Sequence, residues 1–505
     1  MDLIIRNARV LTLNDRDEEF ASADIVVRGG RIERIGPGAA DGMELRGEEV
    51  IDGSGKLAMP GLVNGHFHSP GNFMKGAVEN SPLELFMLYE VPPLMDKPVS
   101  GRFAYVRTML GVLEMLKQGV TAVHDDAFFI PVPTTDEVDN VMRAYRDGGM
   151  RATMTLDQPN IVEYEKYPFL KDLVPAEIRT RMERTPRMSD RDLVECYEDY
   201  IRRWHGAENG RLRAAVSCSA PQRVTPTYLQ ALSELSRKHD IPFDIHILET
   251  RLQRVLGQEK FGKSLVRYSH EMGVLDRRTM VIHAIWVDED DIGLLAESGC
   301  SIAHNPVSNL KVGSGVMPFR RLKDAGINIC LGNDEATTDD GVNLWTVLKV
   351  AGLIHNIGSP EYRDWPAATE ILKAVTSGGA RAMLLDQQTG KLAPGYQADI
   401  ALVDLNTLAF TPLNNLRRQL VYCENGSSVV MTIVGGRIVM RDGKVLTVDE
   451  EEIKAEAREL AGEFAQFMKS CESAAAELDP YYRAMYLKAV QTPVPIHRWA
   501  GPMTP

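Results

Sequence analysis

The middle of the chain alternates between short apolar runs and amphipathic stretches of helical length. Runs rich in Val, Ile and Leu recur near residues 60–66, 119–125, 151–157, 211–218, 242–248, 279–285, 299–304 and 327–333. Between them, stretches such as 101–117, 227–238 and 344–354 repeat apolar positions with a helical period. Strands that alternate with helices are typical of a parallel sheet. Eight such units predict a (β/α)8 barrel of the TIM type, an α/β fold whose site lies at the carboxyl ends of the strands.

Both ends of the chain are rich in short β-forming segments. The turn Gly29-Gly30-Arg31-Ile32 near one end is echoed by Gly435-Gly436-Arg437-Ile438 near the other. We therefore predict a small composite β-sandwich domain from residues 1–58 plus 390–450, a barrel from 59–389 and a helical extension from 451–505. Two long connections, 69–98 and 159–190, leave the active-site face and are expected to form pocket walls.

Composition and charge exclude several classes of function. The net charge of −13 argues against nucleic acid or an anionic membrane as the main partner. No apolar run is long enough to span a bilayer, and the first residues lack the pattern of a signal peptide. The six cysteines are far apart and form no C-x-x-C pair, so a reduced, cytoplasmic location is expected.

Polar residues stand where several apolar strands end. His66 and His68 lie two residues apart in a strand, so that their side chains share one face. His246 ends the fifth predicted strand, and Asp334 ends the eighth. Imidazole nitrogen and carboxylate oxygen are ligands of zinc, and a catalytic zinc keeps one position open for water. The four residues predict a divalent metal site, for zinc or, with the same ligands, iron or manganese.

Three residues are candidates for catalysis beside such a metal. Asp334 is expected to take a proton from water, and Glu249, three residues after His246, is placed to give a proton to a leaving nitrogen. His283, at the end of the sixth predicted strand, is expected to orient the water or polarise the attacked centre.

Several segments together resemble the amidohydrolase superfamily, in its branch of heterocycle deaminases and triazine hydrolases. This branch includes S-adenosylhomocysteine deaminases, guanine deaminases and hydroxyatrazine-type aminohydrolases. The similar segments are Pro60 to His68, His246 to Thr250, Val281 to Ala284, Ala303 to Lys311, Gly332 to Asp334 and Gly390 to Asp399.

The resemblance implies specific roles for individual residues. It implies metal ligands at His66, His68, His246 and Asp334, a proton-shuttling Glu249 and a catalytic His283. Family members with two metals carry a lysine after the fourth strand, whereas this chain has Ala215-Val216-Ser217-Cys218 there, which implies one metal.

The substrate-binding positions depart from the adenosine-type pattern of this branch. Pro221-Gln222 replaces the usual Pro-His, Phe86 stands where a Trp is common, and Glu335 directly follows Asp334. Phe86, Gln222, His304 and Glu335 are our candidates for substrate contacts, with a structural role in the turn before Pro306 as the alternative for His304.

These observations predict a metal-dependent hydrolase that removes an amino group from an aromatic N-heterocycle of purine, pterin, pyrimidine or triazine type. The alternatives are dechlorination or amide and carbamate hydrolysis at the same site, and a non-catalytic scaffold, against which the complete ligand set argues. An amphipathic helix from Glu451 to Ala475 has an apolar face without an obvious partner, which predicts a homodimer or larger assembly.

Overall fold

The barrel predicted from the sequence is present in the computed structural model, which describes residues 2–43, 47–95 and 97–499. Its parallel strands, in chain order, are Leu62–His68, Val120–Phe128, Arg151–Asp157, Leu212–Ala214 with Val216–Ser217, Phe243–Ile247, Thr279–His283, Ser301–His304, and Asn328–Leu331 with Asp334–Glu335. They are buried along almost their whole length, which explains their continuous apolar character in the sequence.

The fourth and eighth strands are each divided into two segments. The two segments of a strand pair with different neighbours, and these pairings join the barrel strands into a ring. Leu212–Ala214 pairs with the third strand and Val216–Ser217 pairs with the fifth. Asn328–Leu331 pairs with the seventh strand, whereas Asp334–Glu335 pairs with Phe67 and His68 of the first. Gly332 lies between the two segments, where a Cβ atom would come within 2.6 Å of the carbonyl oxygen of His66. A side chain at this position would prevent the eighth strand from reaching the first.

The helices surround the strands, and several of them begin at a side-chain cap. The side chain of Thr134 accepts a hydrogen bond from the amide of Glu137, and Gly149, with a φ of 80°, ends the same helix. The main helices are Leu83–Glu90, Gly101–Lys117, Thr135–Gly148, Leu170–Leu173, Ala176–Arg184, Asp190–Trp204, Pro226–His239, Arg251–Leu256, Leu265–Glu271, Glu289–Ser298, Pro306–Lys311, Phe319–Asp324, Ala336–Asp339, Leu344–Ile354, Ala368–Lys373, Gly379–Ala382, Leu416–Tyr422 and Glu450–Gln491.

The two ends of the chain build one mixed sheet. Its strands are Leu3–Leu11, Glu19–Arg28, Arg31–Gly36, Glu49–Asp52, Lys56–Pro60, Ile400–Asp404, Val429–Val434, Arg437–Arg441 and Lys444–Val445. Lys56–Pro60 pairs with Ile400–Asp404 and thereby joins the strands of the two chain ends. The amide of Ile32 donates to the carbonyl of Tyr396, so that the sheet curls over a core shared by both ends.

The C-terminal helix is longer than predicted, running from Glu450 to Gln491 through Pro480. Proline removes one backbone donor, but Leu478, Tyr482, Met485 and Ala489 continue the apolar spacing and are buried. They pack in a cluster with the segments 162–182 and 85–94 of the same chain.

Ile453 and Phe464, within the predicted span, also pack against clusters of this chain, so the apolar face of the helix has partners within its own chain. The observation that suggested a homodimer no longer supports one, and the oligomeric state stays a prediction. Across the described residues, we find no helix with the length and apolar character needed to cross a membrane.

Candidate metal centre and active-site cavity

Three histidine rings meet at the carboxyl end of the barrel. The ring centroid of His66 lies 4.6 Å from that of His68 and 5.1 Å from that of His246. Those of His68 and His246 are 5.4 Å apart. All three residues are buried. Their possible ligand atoms lie within 4.8 Å of one another, as do those of His66, His283 and Asp334.

Asp334 places a carboxylate against the histidines. Its Oδ1 lies 3.3 Å from Nε2 of His66 and 3.5 Å from Nε2 of His68. The residue has a φ of 71°, which turns the chain at the break in the eighth strand. Burial alone would raise the pKa of this carboxyl, but the neighbouring imidazoles hold it well below its usual range. Asp334 is therefore ionised, as a metal ligand must be.

Backbone carbonyl groups orient two of the imidazoles. Nδ1 of His68 lies 2.5 Å from the carbonyl oxygen of Asp126, and Nδ1 of His246 lies 2.8 Å from that of Ser219. Each Nδ1–H donates to its carbonyl, which leaves Nε2 with a free lone pair toward the centre. This is the arrangement found for histidines that ligate metals.

The donor set fits a divalent cation. Burial lowers the pKa of His66 to about 3 and that of His246 well below its ordinary value, which favours the neutral ring that a metal ligand needs. The pKa of His68 is raised instead, because the charges of Asp334 and other nearby carboxylates outweigh its burial. Neither ring nitrogen of the buried His66 forms a hydrogen bond within the described part of the chain. Leaving a buried polar group without a partner is costly, and a cation held by the histidines and Asp334 would remove that cost.

Asp126 is a nearby acidic residue that the sequence analysis did not select. Its Oδ2 lies 3.8 Å from Nδ1 of His246, and Asp126 offers a carboxylate oxygen within 4.8 Å of possible ligand atoms of all three histidines. Burial and the neighbouring Asp157 and Asp244 raise the pKa of Asp126 well above its usual range. Asp334, which is ionised and close to the Nε2 atoms, is the better candidate for the fourth ligand. The acidic pair Asp125-Asp126 within an apolar strand was the signal available in the sequence.

Glu249 and His283 lie side by side next to this centre. Nε2 of His283 is 3.6 Å from Oε1 of Glu249 and 3.7 Å from Oδ2 of Asp334. His283 has a φ of 70°, as expected where a strand ends and the chain turns over the cavity. Burial, and next the charge of Asp334, raise the pKa of Glu249 well above its ordinary value. A carboxyl group whose protonated form is favoured therefore lines the cavity beside the three histidines.

Two residues of the segment after the seventh strand support these groups, and sequence reasoning assigned neither a role. The hydroxyl of Ser308 donates to Oδ2 of Asp334 over 2.6 Å. The side-chain oxygen of Asn309 lies 2.9 Å from Nδ1 of His283. Both belong to the segment Ala303 to Lys311 that resembled the superfamily, which was the signal available for them.

The two long connections supply the cavity walls, as predicted. Leu83, Met87 and Glu90 come from the first, and Glu163, Lys166 and Tyr167 come from the other. Arg223, which is half-buried, adds a cation to the wall.

Glu335 is the one residue of the four candidate substrate contacts that lines the cavity. Burial raises the pKa of its carboxyl and that of the neighbouring Glu90. The two acids lie on the same side of the cavity, next to Asp334.

The other three candidates do not line this cavity. Phe86 packs among Met74, Val78, Leu83 and Val312, because the phase of the helix Leu83–Glu90 turns Met87 and not Phe86 toward the cavity. Gln222 is buried in the short turn Pro221–Arg223, from which Arg223 reaches the cavity instead. His304 points away from the cavity, with Nε2 at 3.1 Å from Nε2 of His355.

Two proteins of known name align with more than nine-tenths of this chain. A 5-methylthioadenosine/S-adenosylhomocysteine deaminase of Desulforudis audaxviator is 31% identical over 461 residues, covering 91% of this chain and 98% of its own. A 5'-deoxyadenosine deaminase of Methanosarcina mazei is 29% identical, covering 93% of this chain and all of its own.

Solved structures share the fold at lower identity. An adenosine deaminase from Xanthomonas campestris with bound zinc superposes with a TM-score of 0.80 at 23% identity, covering 93% of this chain and 99% of its own. An atrazine chlorohydrolase from Arthrobacter aurescens TC1 complexed with zinc gives 0.79 at 23% identity, covering 91% of this chain and 100% of its own. The model of the Amidohydrolase family matches residues 57–439. The chain belongs to the amidohydrolase family.

Proposed function

We propose that this protein is a metal-dependent hydrolytic deaminase that removes an amino or alkylamino group from an aromatic N-heterocycle. The observation that carries this proposal is the position of Glu249, a buried carboxyl 3.6 Å from His283 and beside the histidine cluster. The two relatives described above, whose names give adenosine derivatives as their substrates, support the same class of reaction.

We infer that one zinc ion is held by His66, His68, His246 and Asp334. The zinc present in the two structures of similar fold supports this choice of metal. When bound, such an ion supplies Lewis-acid activation of water near neutral pH. No lysine stands among Ala215, Val216, Ser217 and Cys218, so the chain has no residue there to bridge a second ion.

The residues around the centre are placed to move protons during hydrolysis. Water adds to the ring carbon that bears the amino group, and the carbon–nitrogen bond then breaks. One proton of the water must reach the amino nitrogen before ammonia leaves. Glu249 is placed to give its carboxyl proton to the amino nitrogen and to regain a proton from the added water, since burial and the charge of Asp334 raise the pKa of this carboxyl and favour its protonated form.

His283 orients the attack. Nδ1–H donates to the side-chain oxygen of Asn309, so Nε2 carries a lone pair. Burial lowers the pKa of His283, which keeps the ring neutral. Nε2 therefore accepts a hydrogen bond from the attacking water, between Glu249 and Asp334.

The same geometry favours an amine over chloride as the leaving group. Chloride leaves as an anion and needs no proton, whereas an amine leaves only after protonation. The buried carboxyl group of Glu249 is placed to supply the proton that a leaving amine needs. Dechlorination, and amide or carbamate hydrolysis, are the alternatives that the experiment below must separate.

The test is turnover by the zinc-loaded protein of a panel of adenine nucleosides, guanine, pterins, aminopyrimidines, and amino- and chlorotriazines. Ammonia or amine, chloride and carboxylate products are measured separately. We expect ammonia or amine release, and loss of this activity in His66→Ala, which lacks a ligand. Release of chloride or carboxylate alone, or turnover undiminished in His66→Ala, would contradict the proposal.

A further inference from the structure

A second cavity of about 260 Å³ lies behind the wall of the active-site cavity. We call it the rear chamber and define it by Phe103, Phe128, Ile130, Phe464, Phe467 and Glu90. It lies between the helix Gly101–Lys117, the end of the second barrel strand and the C-terminal helix.

The rear chamber adjoins the catalytic centre directly. Glu90 and Phe128 line both cavities. The ring centroid of Phe128 is 5.9 Å from that of His68, one of the three clustered histidines. A group bound to a ring at the centre therefore needs to pass only these two side chains to enter the chamber.

The walls of the chamber are aromatic, but some of its polar groups lack partners. Phe103 and Phe464 have ring centroids 5.9 Å apart and form a continuous apolar surface. Glu90 and Glu137 are buried, and each leaves its Oε1 atom without a hydrogen bond to the described residues. Nε of the buried Arg107 is likewise unpaired among those residues. Apolar walls with a few unpaired polar atoms are typical of a site for an organic ligand.

Part of this chamber comes from a helix that follows the barrel in the chain. The match to the family ends at residue 439, whereas Phe464 and Phe467 belong to the helix Glu450–Gln491. The chamber is thus assembled by a segment that is additional to the catalytic barrel.

We propose that the rear chamber binds a substituent of the substrate, an aromatic or branched aliphatic group carried by the heterocycle. This inference rests on the proposed function. The bond that joins the substituent to the heterocycle lies beside Glu90. The unpaired carboxyl oxygen of Glu90 accepts a hydrogen bond from an N–H group of the substrate.

The test compares rings with and without such a substituent: adenine against 9-benzyladenine, and melamine against N-isopropylmelamine. Wild type, Phe464→Ala and Phe467→Ala are compared with Leu487→Ala, a substitution of a half-exposed residue on the same helix away from the chamber. Circular dichroism and metal content establish that each variant is folded and loaded.

We expect wild type and Leu487→Ala to favour the substituted ring of at least one pair in kcat/KM by about tenfold or more, the range for an apolar group in a fitted pocket. Phe464→Ala and Phe467→Ala should lose most of this preference and keep kcat/KM for the unsubstituted ring within about twofold. Equal preference in all four proteins would overturn the proposal.

A binding measurement separates failure of this inference from failure of the proposed function. Calorimetry on zinc-loaded Glu249→Gln, with and without Phe467→Ala, measures the Kd of each ring without turnover. If no ring is deaminated by wild type, the proposed function fails. In that case, binding of a substituent in the rear chamber is supported only if Phe467→Ala selectively weakens binding of a substituted ring. Unchanged Kd values would refute it.

Discussion

The hydroxyl of Ser308 lies 2.6 Å from Oδ2 of Asp334. This contact occupies one oxygen of the carboxylate and leaves Oδ1, which faces His66 and His68, free to bind a cation. Residues that orient metal ligands in this way contribute to affinity without touching the ion.

We therefore expect Ser308→Ala to weaken zinc binding by about 10–100-fold, the range for loss of such a supporting contact. Competition with a chelator of known affinity measures the change. Val307→Ala is the matched control, because Val307 adjoins Ser308 but does not line the cavity. Unchanged zinc affinity in Ser308→Ala would show that the hydroxyl does not orient Asp334.

Asn309 is expected to act through His283. Asn309→Leu removes the acceptor for Nδ1–H, so the ring loses its fixed tautomer, and kcat should fall by about 10–100-fold. Zinc content should stay unchanged and the pH profile of kcat should shift, which a purely structural role would not produce. Leu310→Ala, at an exposed neighbouring position, serves as the control. A normal kcat and pH profile in Asn309→Leu would contradict this role.

Glu249→Gln should retain zinc and the fold but lose turnover by about 10²–10⁴-fold, because an amide cannot exchange the proton that the leaving amine requires. Steady-state kinetics and metal analysis on the same preparation check both parts. A variant with near-normal kcat would refute the assignment of Glu249 as the proton carrier.

A buried ion pair joins the barrel to the mixed sheet. The guanidinium of Arg151 contacts both carboxylate oxygens of Asp399, at 2.9 Å and 3.1 Å, and Asp399 also accepts from the amide of Gly435. Asp399→Ala should lower the free energy of unfolding by about 3–5 kcal/mol, because it leaves a buried charge unpaired.

Denaturant unfolding of the metal-loaded protein measures this effect. Asp290→Ala is the control, since Asp290 forms a longer ion pair at an 85% exposed side chain, where such pairs contribute about 0–1 kcal/mol. Equal stability of the two variants would show that the Arg151 pair does not hold the two parts together.

The fold could be predicted because the barrel strands are continuous apolar runs whose carboxyl ends bear polar residues. His66, His68, His246 and Asp334 lie close together, since parallel strands bring their ends to one face. The sequence did not predict that the barrel closes through two divided strands, because no local sequence pattern marks the point where a strand is divided.

Predictions failed where position depends on the phase of a helix or on distant packing. In the first connection, the apolar sequence did not show that Met87 rather than Phe86 faces the cavity. The rear chamber could not be predicted, because Phe103 and Phe464 are far apart in sequence and meet only when the C-terminal helix folds back on the barrel.

The central claim is that one metal ion held by these residues supports hydrolytic deamination. Metal-free protein titrated with zinc, while ammonia release and bound zinc are both measured, tests it most directly. We expect no ammonia release without zinc, and a rate of ammonia release that rises linearly with bound zinc and stops rising at one ion per chain. Full activity in the metal-free protein, or a plateau at two ions per chain, would contradict it.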